Sequence, residues 1–200
     1  MPTSLNTFSL NDLAQFKSEK TFPSSISSDQ RIFYAGRDNC HGVLRYLLAA
    51  TKRSLFMNMF GYDDPELNRQ IEELVTDDKV FVQGTLDKSQ ASGAHESKIL
   101  ATWSPLMRAS FAIGETATHQ ILHTKGGVCD GLVAWEGSMN WSLTGEGFGP
   151  KSQFNTLAVY TNAILIHEFT TALTEAHTVA LHQEAKAKIL RTGENYVNQH

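Results

Sequence analysis

Residues 54–87 read SLFMNMFGYDDPELNRQIEELVTDDKVFVQGTLD, and this stretch constrains the fold more than any other. Its ends, SLFMNMFGY and KVFVQGTLD, are apolar runs of strand length. Between them Leu67, Ile71, Leu74 and Val75 form one helical stripe, with Asp64 placed to cap the helix and Pro65 suited to its first turn. Strand, helix, strand in this order is a βαβ unit, which makes the two strands parallel and the crossover right-handed.

The remaining elements follow the same logic. CHGVLRYLLAAT, beginning at Cys40, carries Val43, Leu44, Leu47 and Leu48 at helical spacing. A short helix is expected over Leu10–Ser18, capped by Ser9 or Asn11, then a linker TFPSSISSDQ and a strand RIFYAG. Ser89–Thr102 reads as a loop with a short helix around Glu96–Ala101. From Met107 the pattern becomes strands: MRASFAIG, HQILHTK, LVAWEG and QFNTLAVYT. Asn162–Arg191 reads as helical, with Leu165, Ile166, Phe169, Leu173, Ala176 and Ala180 in its interior and Gly193 as its stop. The fold class is therefore α/β, a mixed β-sheet flanked by helices. Residues 1–30 are an N-terminal extension and linker, and 31–200 form the main domain.

A chain of 200 residues is long enough for one domain with a substantial core. Its 17 basic and 21 acidic residues give a net charge of −4, which counts against a generally basic nucleic-acid surface but leaves room for a local positive cleft. Two cysteines, Cys40 and Cys129, make neither a disulfide framework nor a metal cluster and read as small buried side chains. The first twenty residues lack the pattern of a signal peptide, and no apolar run reaches membrane-spanning length. A soluble, cytoplasmic protein is expected.

The chemistry concentrates in HTKGGVCDGLVAWEGSMNWS, which begins at His123. Residues two apart on a strand share a face, so His123 and Lys125 project together, and His119 joins them if the strand is regular. Asp130–Gly131 is a hairpin turn signal that returns Gly137, Ser138 and Asn140 towards His123. Gly137 is expected to let the backbone approach a ligand closely. Asp130 is out of phase with the His–Lys face, so it supports the turn unless a bulge at Gly126–Gly127 changes the parity. A lysine, an amide and a hydroxyl suit phosphate oxygens, and a histidine can attack phosphorus or move a proton. Each residue alone reads more simply as a structural histidine, a solvated lysine or a turn former. Their joint spacing is what points to a phosphodiester.

That spacing resembles the signature of the phospholipase D superfamily: His-x-Lys, four residues, Asp, six residues, then Gly-Ser-x-Asn. Here it is His123, Lys125, Asp130, Gly137, Ser138 and Asn140, followed by Trp141 and Ser142, with Gln153 and Asn155 at the next strand. The resemblance covers about Arg31 to Ala163 and implies a phospholipase D-like catalytic domain. It further implies a two-step mechanism without metal or cofactor, in which His123 forms a phosphohistidine. Lys125, Asn140 and Ser138 hold the phosphate, Asp130 completes the catalytic set, and Gly137, Gln153 and Asn155 support it. Many family members have a glutamate where Gln153 stands, and an amide cannot raise imidazole basicity as a carboxylate does.

Such chemistry needs two histidines, and only His123 has a lysine two positions on. Single-motif relatives dimerise, so a homodimer sharing one site is expected. The competing acid is His119 of the same chain, disfavoured because one strand turns both rings the same way. Nucleic acid is the expected substrate, with Arg31, Arg37, Lys52, Arg53, Lys98, Arg108 and Lys151 as candidates for a basic rim. The alternative is a phospholipid, with Trp103, Leu106, Met107 and Phe148 as candidates for an apolar rim. A catalytically quiet binding or scaffold protein is a third reading, opposed by the intact His123, Lys125 and Asn140. LTGEGFGPKS, after Ser142, is expected to form a mobile loop beside the site and lacks the pattern of a phosphate-binding P-loop.

Overall fold

In the computed structural model, which describes residues 5–142, 144–147 and 152–197, the strands are β1 (Gln30–Tyr34), β2 (Ser54–Met59), β3 (Phe81–Asp87), β4 (Phe111–Gly114), β5 (Lys125–Cys129), β6 (Val133–Gly137) and β7 (Thr156–Tyr160). The helices are α1 (Cys40–Ala50), α2 (Pro65–Thr76), α3 (Lys88–Ala91), α4 (Glu96–Ala101), α5 (Pro105–Ser110) and α6 (Ala163–Val197), and a 3₁₀ helix spans Leu10–Phe16. The strands form one mixed sheet in the order β1-β7-β6-β5-β2-β3-β4. β2, β3 and β4 are parallel, as the βαβ pattern requires, and the other pairings are antiparallel.

Each face of the sheet has its own apolar cluster. On one, Leu55, Met57, Trp135 and Leu157 pack with Val43, Leu44, Leu47 and Leu48 of α1 and Leu67 and Ile71 of α2. Leu5, Leu10 and Leu13 join this cluster, so part of the N-terminal segment completes the core. On the other, Val128, Ala134 and Tyr160 pack with Ile166 and Leu173 of α6. The helices start where side chains can satisfy their free amides: Asn39 caps α1, Asp64 caps α2 through Leu67 N at 2.6 Å, and Ser104 caps α5 through Met107 N at 3.1 Å.

Three expectations from the sequence need correction. MRASFAIG is not one strand: Ser104 as cap and Pro105 in the first turn start α5, and β4 begins only at Phe111. HQILHTK is not a strand of its own, and only Lys125 belongs to β5. His119 has φ +59° in a turn closed by its amide on Thr116 O, and it pairs with Glu115 at 2.7 Å. It therefore does not share a strand face with His123. Finally, α6 runs through Gly193 to Val197, because one interior glycine costs only about 1 kcal/mol relative to alanine and stops a helix only where a cap completes it. Of LTGEGFGPKS, Thr144–Gly147 forms a turn, while Leu143 and residues 148–151 lie outside the described residues.

Candidate active site

β5 places the motif by register. Met59, the last residue of β2, pairs with Lys125, the first of β5, so the chain leaving β2 at Phe60 meets the segment that enters β5. The Phe60 ring lies 4.6 Å from the His123 ring and 4.7 Å from Lys125 Nζ, which places both functional groups around one aromatic side chain. Asn140 reaches the same point from β6: its Oδ1 accepts a hydrogen bond from Gly61 N at 3.2 Å. His123, Lys125 and Asn140 thus converge at the carboxyl ends of β2 and β3, where open α/β sheets commonly place ligands. His123 is exposed and Asn140 half-buried. Lys125 is 3% exposed, and its ammonium donates to the His123 carbonyl at 2.7 Å.

Gly126 and Gly127 do not form a bulge, because the ladder is continuous from Lys125 to Cys129. They are glycines for packing. A Cβ on Gly126 would stand 2.6 Å from the Phe169 ring of α6, and one on Gly127 would stand 2.8 Å from Phe56 O. Gly137 is likewise explained by its neighbour strand and not by a ligand: a Cβ there would lie 2.0 Å from Thr156 O. The expectation of close ligand approach at Gly137 is therefore replaced by close approach of β7.

Ser138 and Asn155 form a linked pair where β6 ends and β7 begins. Ser138 Oγ donates to Asn155 Oδ1 at 3.0 Å and accepts from Thr156 N at 3.0 Å. Asn155 Nδ2 donates to Gly145 O at 2.9 Å and to Gln153 Oε1 at 3.3 Å. Gln153 acts here on Asn155, a supporting contact. Asp130 is at the other end of β5, roughly 20 Å of extended chain from His123. Its carboxylate accepts the amides of Lys52, Arg53 and Ser54, and its φ of +56° followed by +67° at Gly131 gives the hairpin turn. The structure does not bring Asp130 to the other motif residues.

Two contributors escape a reading by motif. Phe60 looks like one more apolar strand residue until its ring is seen against both His123 and Lys125. Asp87 ends β3: Oδ2 accepts Leu122 N at 2.6 Å, beside His123, and Oδ1 caps α3 through Ser89 N at 2.9 Å. A carboxylate ending a parallel strand was the available signal. The expected rims change as well. Lys52 and Arg53 adjoin Asp130 at the far end, Arg31 is buried on Ser27, Gln30 and Asn11, and Arg37 pairs with Asp38. Trp103 and Met107 are buried, Leu106 is exposed, and Phe148 and Lys151 lie outside the described residues.

A family model described as "Cardiolipin synthase, PLD-like domain" matches residues 44–176, well over half of the chain. The chain belongs to the phospholipase D superfamily. Among solved structures, a phospholipase D family member, Nuc from Salmonella typhimurium, is similar at 15% identity and a TM-score of 0.60, over 74% of this chain and 92% of that one. NucT from Helicobacter pylori gives 12% identity and a TM-score of 0.58, over 74% and 94%. Phosphatidylserine synthase from Haemophilus influenzae Rd KW20 gives 13% and 0.51, over 86% and 47%. No match is found among the curated proteins. No helix among the described residues is long and apolar enough to cross a membrane.

Lys125 carries a perturbed charge. Burial lowers the Lys125 ammonium to about 8, while the nearby Asp87 carboxylate pulls the other way. Lys125 is then cationic below about pH 8 and loses its charge as pH rises through that value. Sulfate is a convenient tetrahedral probe because its charge is constant over this range. Its affinity is expected to fall about tenfold between pH 7 and pH 9, and Asp87→Asn should start the fall at lower pH. An affinity that is flat from pH 7 to pH 9.5 would remove Lys125 from the anion site.

Proposed function

We propose that the chain is a phosphodiester hydrolase acting on DNA or RNA, with His123 as nucleophile in a site shared by two copies of the chain. The observation that carries this reading is the convergence of exposed His123, buried Lys125 and Asn140 around Phe60 and Gly61. Lys125 and Asn140 would hold the non-bridging oxygens, and Ser138, already paired with Asn155, would border them. A ring nitrogen of His123 attacks phosphorus, and the bond to the leaving oxygen breaks as that oxygen takes a proton from the partner's His123. The partner's His123 then removes a proton from water, whose oxygen displaces His123 from phosphorus and restores the starting ring.

A second copy would supply the acid, a reading supported by His119, the other candidate, lying in a turn and pairing with Glu115. Nucleic acid is favoured by the close match in extent to the compact Nuc and NucT chains, which are covered almost whole. A phospholipid is the second reading, and Ile121 favours it: this side chain is 56% exposed two residues from His123.

Single-stranded DNA, duplex DNA, RNA, an aryl phosphodiester and phospholipid vesicles, assayed with chelator present, separate these readings. Hydrolysis of a polynucleotide by the dimer fraction alone, with specific activity falling on dilution, is the expected result. Activity confined to vesicles would establish the lipid reading instead. A fully active monomer would refute the shared site.

A further inference from the structure

His41, in the first turn of α1, meets three carboxylates. Its Nε2 lies 3.4 Å from Asp64 Oδ2 and 3.8 Å from a carboxylate oxygen of each of Glu66 and Glu146. Asp64 and Glu66 stand at the start of α2, and Glu146 arrives on the segment that follows Asn140. One donor atom from each of His41, Asp64 and Glu146 lies within 4.8 Å of the other two. Metal–ligand bonds of about 2.0–2.2 Å set tetrahedral edges of roughly 3.3–3.6 Å, so small side-chain shifts would close these donors around one ion.

An independent observation points to a ligand. Glu146 is 3% exposed, and its Oε1 has no hydrogen-bond partner among the described residues. A buried carboxylate oxygen without a donor or cation is costly, and native structures rarely leave one so. Arg45 lies 2.9 Å from Glu66, but among the described residues the ion pairs of Asp64 and Glu146 are with His41 only. One imidazole therefore faces an excess of negative charge.

We propose that His41, Asp64 and Glu146 bind a divalent ion of the zinc class, with Glu66 available as a fourth ligand. One imidazole nitrogen with carboxylate oxygens suits zinc better than magnesium or calcium, which take oxygen donors. The ion stands outside the phosphodiester chemistry and revises the expectation of no metal for this chain. It fastens the segment that carries Asn140. Glu146 N donates to Ser142 O at 2.9 Å, Asp63 N donates to Trp141 O at 2.8 Å, and Gly145 O accepts from Asn155, the partner of Ser138. The competing occupant is a proton: burial first, then Asp64, pushes the Glu146 carboxyl up to about 9.

The test uses the full chain, stripped with chelator and dialysed. Zinc titrated by calorimetry should bind at one ion per chain, and saturating zinc should raise the Tm by roughly 5–10 °C while magnesium does not. His41→Asn and Glu146→Gln should each lose this zinc-specific shift, and His123→Ala should keep it. Cobalt(II) on the unaltered protein should give tetrahedral d–d absorption without a thiolate charge-transfer band, a readout that does not depend on the variants folding. No zinc shift and no cobalt absorption would leave only the proton, and the proposal would fall. Zinc binding retained by both variants would place the ion elsewhere and overturn it equally. Turnover enters none of these readouts, so failure of the phosphodiesterase reading would leave the metal result standing, and the reverse.

Discussion

His123→Ala should lower phosphodiester turnover by at least about a thousandfold, equivalent to roughly 4 kcal/mol of barrier. A phosphohistidine cannot form without the ring, and the remaining groups offer only charge and orientation to a water attack. The substitution should leave the fold intact. His123 is exposed, with its ring against Phe60, so the stability change should stay within about 0.5 kcal/mol. Sulfate affinity should also persist, because Lys125 and Asn140 do not depend on the ring: Lys125 Nζ bonds the His123 backbone carbonyl, and Asn140 bonds Gly61 N. The variant is therefore expected to bind and not turn over. Retention of more than a tenth of the wild-type rate would remove His123 as nucleophile, whereas equal losses of binding and turnover would make it a phosphate-holding residue.

The sequence made the parallel pair β2–β3 legible because Leu67, Ile71 and the Asp64–Pro65 start define a helix between two apolar runs. It made the β5–β6 hairpin legible because Asp130–Gly131 takes positive φ at both positions. Where it misled, a local signal competed with a longer pattern. Ser104 and Pro105 opened a helix inside what looked like a strand, and a turn at Thr116–His119 removed His119 from the strand face. The candidate site was half legible. Spacing within one hairpin pointed to Lys125 and Asn140, which meet Phe60 and Gly61 together with His123. Phe60 and Asp87 required the register of β2 against β5 and the end point of β3, both long-range facts. The His41–Asp64–Glu146 cluster joins two helix starts and a loop far apart in sequence, and no local spacing announces it.

Asp130 provides the test that separates motif membership from chemistry. Its carboxylate accepts amides from three consecutive residues, Lys52 at 3.1 Å, Arg53 at 2.7 Å and Ser54 at 3.0 Å, as the chain leaves α1 and enters β2. Asp130→Ala would strip all three amides of their acceptor and place alanine at φ +56°, where aspartate and asparagine are tolerated better. Each lost charge-assisted bond is worth about 1 kcal/mol or more, with part recovered by water because Lys52 and Arg53 are exposed. A loss of about 3 kcal/mol is expected, which for a chain of this size lowers the Tm by roughly 10 °C. Asp130→Asn keeps one acceptor and the backbone preference, so it should lose about half as much. Turnover per folded molecule, measured well below the lowered Tm, should stay within about threefold of wild type, because Asp130 lies some 20 Å of strand away from His123. The opposite outcome, an unchanged Tm with turnover reduced as far as in His123→Ala, would return Asp130 to the catalytic set. The expected outcome makes the aspartate of this phospholipase D motif a clamp that fixes the register of β5 on β2, and so sets Lys125 opposite Met59 from the far end of the strand.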